Sequence, residues 1–132
     1  MSNNSKQGTL ASAPRILYVD DEEDLVLLAQ SFFEEEGMKI EVCTDFVQAL
    51  EKIRKNDYDI VITDSNMPRG SGTELAHVAR SEGVFQGKLV LVTGNIEYSD
   101  VTTKHGFDLV IYKPVNFQEL IDQVRQLLTP II

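Results

Sequence analysis

Four apolar or β-branched residues, Ile60-Val61-Ile62-Thr63, form a run without polar alternation that stops at an aspartate, Asp64. A strand of such uniform character must be covered on both faces, which confines it to the interior of a sheet flanked by helices. Pro68 ends regular pairing four residues later, because proline has no N–H to give to a ladder. Open α/β sheets place their chemistry at the carboxyl ends of such strands. Asp64 is therefore the first functional residue the sequence points to.

The same pattern recurs along the chain. Arg15–Val19, Lys39–Cys43, Lys88–Thr93 and Leu109–Tyr112 are further short apolar runs. Between them, apolar residues return at helical spacing: Leu25, Leu28, Ala29, Phe32 and Phe33, then Val47, Ala49, Leu50 and Ile53 behind a predicted N-cap at Asp45. Leu75, Ala76, Val78 and Ala79 predict a third helix, and Leu120, Ile121, Val124, Leu127 and Leu128 predict the last. Residues 96–105 predict the weakest helix, since Val101-Thr102-Thr103 is a β-branched run. Five strands alternating with five helices imply an α/β, doubly wound (βα)5 fold with a five-stranded parallel sheet. Its natural strand order, 2-1-3-4-5, has a switch point between the first and third strands, which brings Asp20, Asp21 and Asp64 to one crevice.

Length and charge narrow the functional classes. The 132 residues suit one domain, read here as 15–129, with a mobile tail over 1–14 and a short tail over 130–132. A net charge of −9, from 21 acidic against 12 basic residues, argues against direct contact with nucleic acid or anionic membrane. A lone cysteine, Cys43, excludes an internal disulfide and is expected to be an ordinary buried strand residue. There is no apolar run of membrane-spanning length and no signal-peptide core at the start, so a cytoplasmic location is expected. His77 and His105 fall on weakly apolar helices and are expected at the surface or half-buried.

Three carboxylates at one sheet edge repel one another and persist most easily around a hard divalent cation. Mg²⁺ suits them, because it binds through one or two carboxylates, keeps several waters and pairs with phosphate oxygens. Thr93 can bring a hydroxyl to the same edge and Lys113 an ammonium. No base is placed for acyl or glycosyl chemistry. A carboxylate nucleophile that takes a phosphoryl group accounts for the set best.

Asp20-Asp21, Asp64-Ser65-Asn66-Met67-Pro68 with Gly72, Thr93-Gly94 and Lys113-Pro114, each at an expected strand end, resemble the receiver domain of two-component response regulators. The resemblance implies phosphorylation of Asp64 by the phosphohistidine of a histidine kinase or phosphotransfer protein. It implies Mg²⁺ held by Asp21, Asp64 and the Asn66 backbone carbonyl, with Asp20 acting through water. Lys113 and Thr93 would each engage a phosphoryl oxygen, and the Lys113–Pro114 bond would be cis. Such domains are autocatalytic phosphoacceptors rather than turnover enzymes. They signal to a downstream effector or output domain, in bacteria, through the fourth strand, fourth helix, fifth strand and fifth helix. The fourth-helix, fifth-strand and fifth-helix face would also carry any homodimer. One position departs from the family: Val110 stands where an aromatic residue is frequent, with Tyr112 directly beside Lys113. Gly94 is expected to leave the pocket open to phosphodonors and water.

Three other functions share parts of this pattern. A flavin carrier would need a hydroxyl- and glycine-rich phosphate loop where this chain has Asp20-Asp21-Glu22-Glu23. An aspartyl-intermediate phosphatase would need an acid where Asn66 stands. A docking domain that works without phosphorylation would not need Asp64, Thr93 and Lys113 together. The chain stops after the fifth helix, so it is expected to be a stand-alone regulator or a piece of a longer one.

Overall fold

The computed structural model describes residues 13–94 and 106–129. Most of the expected N-terminal tail, the helix expected over 96–105 and the tail at 130–132 lie outside the described residues. Strands β1 (Arg15–Val19), β2 (Lys39–Cys43), β3 (Ile60–Asp64), β4 (Lys88–Thr93) and β5 (Leu109–Tyr112) form one parallel sheet. Its order is β2-β1-β3-β4-β5, the doubly wound arrangement expected. Helices α1 (Glu23–Glu35), α2 (Phe46–Lys55), α3 (Gly72–Ser81) and α4 (Phe117–Leu128) are described around it.

The strands are apolar throughout because alternate side chains feed two separate cores. Ile16, Tyr18, Ile60, Ile62, Val90 and Val92 pack with Val26, Ala29 and Phe33 of α1 and Leu120, Ile121 and Val124 of α4. Leu17, Val19, Val61, Leu89 and Leu91 pack with α2 and α3 through Ala49, Leu50, Ile53, Leu75, Ala76 and Ala79. Each large aliphatic side chain so buried contributes about 1.5–3 kcal/mol, so the central strands are the most strongly fixed part of the fold.

Local signals set the helix ends. The Asp45 side chain accepts the Gln48 N–H at 2.9 Å and caps α2 as expected. Ser71 and Glu74 form a reciprocal capping box on α3. Asn116 caps α4 by accepting the Glu119 N–H at 3.0 Å. Gly37 and Gly83 follow α1 and α3 with φ of 81° and 70°, a conformation that side chains disfavour.

Two expectations fail in instructive ways. Leu28, Phe32 and Val47, expected in the core, are 49%, 37% and 41% exposed, while Val26 is buried in their place. The run Leu25 to Phe33 is apolar around more of α1 than one sheet face can cover, so spacing alone does not choose the buried arc. The segment after β3, where Pro68 is expected to end regular pairing, carries a two-residue antiparallel ladder between Asn66–Met67 and Gly70–Ser71. Pro68 sits between the two segments, outside the paired residues. Arg69 takes φ of 70° there, and a side chain at Gly70 would strike the Phe46 ring.

Candidate functional site

Backbone hydrogen bonds continue one residue past the strands and pin the site residues. The Asp20 N–H donates to Cys43 O at 3.2 Å, the Ser65 N–H to Val92 O at 3.0 Å and the Lys113 N–H to Thr93 O at 2.9 Å. Strand alternation then sorts the side chains. Asp20, Asp64 and Lys113 continue the parity of Tyr18, Ile62 and Ile111, on the side of α1 and α4. Ser65 and Thr93 continue that of Val61, Leu89 and Leu91, on the side of α2 and α3.

On the first side, Lys113 Nζ lies 3.3 Å from Asp20 Oδ2 and 3.3 Å from Asp64 Oδ1. One carboxylate oxygen from each of Asp20, Asp21 and Asp64 falls within 4.8 Å of the others. Asp20 and Asp64 are buried and Asp21 is exposed. Asp64 Oδ1 accepts the Ser65 N–H at 2.9 Å, and Asp20 Oδ1 accepts the Glu22 N–H at 2.9 Å. Asp20 Oδ2 is ion-paired to Lys113, yet buried with no hydrogen bond among the described residues.

Burial pushes the Asp20 carboxyl up to about 6, with Asp64 adding to the rise and the Glu22 N–H and Lys113 opposing it. Burial also raises Asp64, against the pull of Lys113 and the Ser65 N–H. For Lys113 burial works against the charge, but Asp20 and Asp64 outweigh it and hold the ammonium above its ordinary range. One ammonium cannot balance three carboxylates, and buried Asp20 Oδ2 has only that ammonium, at ion-pair distance, beside it among the described residues. This all-oxygen set fits Mg²⁺.

Tight backbone approach closes the site from below. A side chain at Gly72 would collide with the Asp64 carbonyl oxygen, and Gly72 N–H donates to Ser65 O at 3.0 Å. Gly94 is exposed, and among the described residues no atom lies within 4 Å of where its side chain would begin. Asn66 is exposed on the short ladder two residues beyond Asp64. The Lys113–Pro114 bond is cis.

The family profile of the response regulator receiver domain matches residues 16–125. The chain belongs to this family. The receiver domain is 36% identical to TrrA of Thermotoga maritima, solved in complex with Mg²⁺-BeF, over 87% of this chain and 99% of that one, with a TM-score of 0.77. A CheY-like receiver domain from Methanospirillum hungatei is 30% identical, with 87% and 93% covered and a TM-score of 0.79. The transcriptional regulatory protein CutR of Streptomyces coelicolor is 32% identical over 115 residues, 86% of this chain and 52% of its own length. The response regulator SaeR of Staphylococcus aureus is 30% identical, covering 86% and 50%. The chain thus spans about half the length of these curated relatives. No helix among the described residues is long and apolar enough to cross a membrane.

Sequence reasoning missed two residues of the receiver site. Ser65 is buried at the sheet edge, and its Oγ donates to Thr93 Oγ1 at 3.0 Å. The Tyr18 hydroxyl is buried without a hydrogen-bond partner among the described residues, and burial, Asp20 and Asp64 all push its acidity down. Strand parity applied one residue past each strand would have found Ser65. Cys43 and His77 lie as expected, buried and exposed respectively, and His105 is outside the described residues.

Proposed function

We propose that Asp64 accepts a phosphoryl group and that the receiver domain switches a protein-binding face in two-component signalling. The carrying observation is the placement of the Asp64 carboxylate, 3.3 Å from Lys113 and within reach of Asp20 and Asp21. An Asp64 oxygen attacks the phosphorus of a phosphohistidine. The new O–P bond forms as the N–P bond breaks, and the departing imidazole nitrogen keeps the electron pair. Lys113 pairs with the transferred oxygens, and Thr93 donates to one of them. Mg²⁺ would be held by Asp21, Asp64 and the Asn66 carbonyl, with Asp20 acting through water, and would supply charge neutralisation. The reaction consumes the acceptor once per phosphoryl, so it is not turnover catalysis; water returns Asp64 slowly.

The exposed apolar residues that α1 left uncovered support the partner reading. Leu25, Leu28 and Phe32 line a groove with Pro114, Val115 and Phe117, and Glu22 and Lys113 close its end at the acid site. Phe32 stacks on Phe117 with centroids 5.3 Å apart, so two aromatic rings lie side by side in the groove. An amphipathic helix bearing the phosphohistidine would seat its apolar face here with the imidazole over Asp64. The response is passed on through β4, residues 96–105, β5 and α4 to an effector or output domain. A cytoplasmic setting follows from the phosphodonor.

The test is an intact mass after incubation with acetyl phosphate and Mg²⁺. A single phosphoryl adduct that needs Mg²⁺ and is lost in Asp64→Asn is expected. An equal adduct in that variant refutes the assignment, and absence of both adduct and Mg²⁺ binding favours a phosphorylation-independent docking domain.

A further inference from the structure

We infer that the groove between α1 and α4 takes an amphipathic helix whose apolar stripe is flanked by lysine or arginine, so that charge as well as shape selects the phosphodonor. This rests on the phosphoacceptor reading of Asp64 and names the partner chemistry of that site. Both helices begin at the strand ends that carry the acids, and they meet through Phe32 and Phe117. From Glu22 to Glu35 α1 rises by about 20 Å, the length of roughly four turns of a partner helix.

The walls of the groove are apolar but its rim is acidic. Glu22 lines the end beside the acid site. Asp122 stands one turn after Gln118 on the α4 wall and accepts the Gln118 amide at 3.3 Å. Glu35 follows Leu28 and Phe32 on the same face of α1, since residues three and seven apart share a helix face. All three acids are exposed, and the Glu22 and Glu35 carboxylates have no hydrogen bond or ion pair among the described residues. The cations at the two ends are already committed. Lys113 is held 3.3 Å from both Asp20 and Asp64, and Arg125 lies 2.7 Å from Glu36 Oε1, closing the far end. Water satisfies the three rim acids in the free domain. A docked helix with an acidic margin meets them with repulsion, one with a neutral margin leaves them unpaired, and lysine or arginine pairs with each. Glu22 stands at the Asp64 end, Asp122 about one and a half turns along α4 and Glu35 about three and a half along α1, so the basic residues of the partner extend over the same span from its phosphohistidine. The net charge of −9 steers such a partner towards the domain at low salt.

The experiment titrates isotope-labelled protein with two synthetic helices, read by amide shifts. Both are stabilised by lactam bridges and carry the same leucine stripe, one flanked by lysine and the other by glutamine. An exposed ion pair shifts an equilibrium by about two- to threefold, so three pairs predict about tenfold tighter binding of the lysine helix at low salt. At about 0.5 M salt, where charges are screened within roughly 4 Å, the two helices are expected to bind within about threefold of each other. The shifts are expected along α1 and α4, and Glu35→Gln combined with Asp122→Asn is expected to lose most of the lysine helix's advantage. Equal binding at low salt, an advantage that survives in the double variant, or shifts elsewhere on the domain overturns the charge rule. No binding of either helix overturns the groove as a helix seat. Shifts on α1 and α4 that grow with protein concentration in the absence of peptide place a second copy there and overturn it too. Acetyl phosphate labels wild type without a docked helix, so failure of that labelling overturns the acceptor reading, whereas failure of helix selection leaves it standing.

Discussion

Asp20→Asn measures the repulsion that the acid cluster stores in the absence of a cation. The Asp20 side chain is 1% exposed, and its carboxyl is moved from an ordinary 3.8 to about 6. That rise of two pH units corresponds to roughly 3 kcal/mol that the ionised group costs the folded state near neutral pH. Asparagine removes the charge and keeps an oxygen for the Glu22 N–H. The ion pair with Lys113 is already counted in that shift, but the buried amide brings two new N–H donors to satisfy, at a cost of about 1–2 kcal/mol. The net expectation is a gain of about 1–2 kcal/mol in chelator at pH 7.5, read as an increase in urea midpoint with unchanged slope.

The pH dependence has a definite sign. Because the folded pKa of Asp20 is raised, the folded state holds a proton between 3.8 and about 6 that the unfolded chain has released. Metal-free wild type therefore gains stability as pH falls from 7.5 to 5, and the advantage of Asp20→Asn shrinks over the same window. Asp64 is shifted the same way and is present in both proteins. Glu41, Asp45 and Glu82 are held below their ordinary values by Tyr58, the Gln48 N–H and Arg54, so the stability they add is lost only at lower pH. Mg²⁺ reverses the order, since at a hundred times its Kd it adds about 2.7 kcal/mol to the protein that binds it. A variant that is less stable than wild type in chelator at pH 7.5, or an advantage independent of pH, refutes the reasoning.

Three further outcomes follow from the geometry. Gly72→Ala is expected to cost about 1–3 kcal/mol by urea denaturation, because its methyl meets the Asp64 carbonyl oxygen; a neutral effect would mean the α3 start can shift. Gly94→Val is expected to leave stability nearly unchanged, since its side chain would meet no described residue, while slowing both acetyl phosphate labelling and loss of the adduct by intact mass. Phe32→Asp is expected to lower phosphotransfer from a phosphohistidine protein at least tenfold and leave acetyl phosphate labelling within twofold. Equal loss with both donors would move the docking surface away from the α1 groove.

Several features were legible from residues alone. Continuous apolar runs can be satisfied only between two helical layers, so β1 to β5 and their parallel order follow from hydrophobic burial without tertiary detail. Asp20, Asp21, Asp64, Thr93 and Lys113 each end or follow such a run, and parallel strands put those ends at one edge. Caps at Asp45 and the glycines after α1 and α3 are local chemistry and were equally readable.

Tertiary structure decided what depends on which surfaces meet. The apolar arc of α1 is wider than its seat on the sheet, so only packing against β1, β3 and α4 could choose Val26 over Leu28 and Phe32 and leave a groove beside the acids. The partners of Asp20 depend on depth, since burial rather than residue type moves its carboxyl to about 6. The Ser65–Thr93 bond joins residues 28 apart through strand register, which sequence spacing does not encode. Local pattern determined the elements and the identities of the reactive groups; long-range packing decided their exposure, their protonation and which hydroxyl faces which partner.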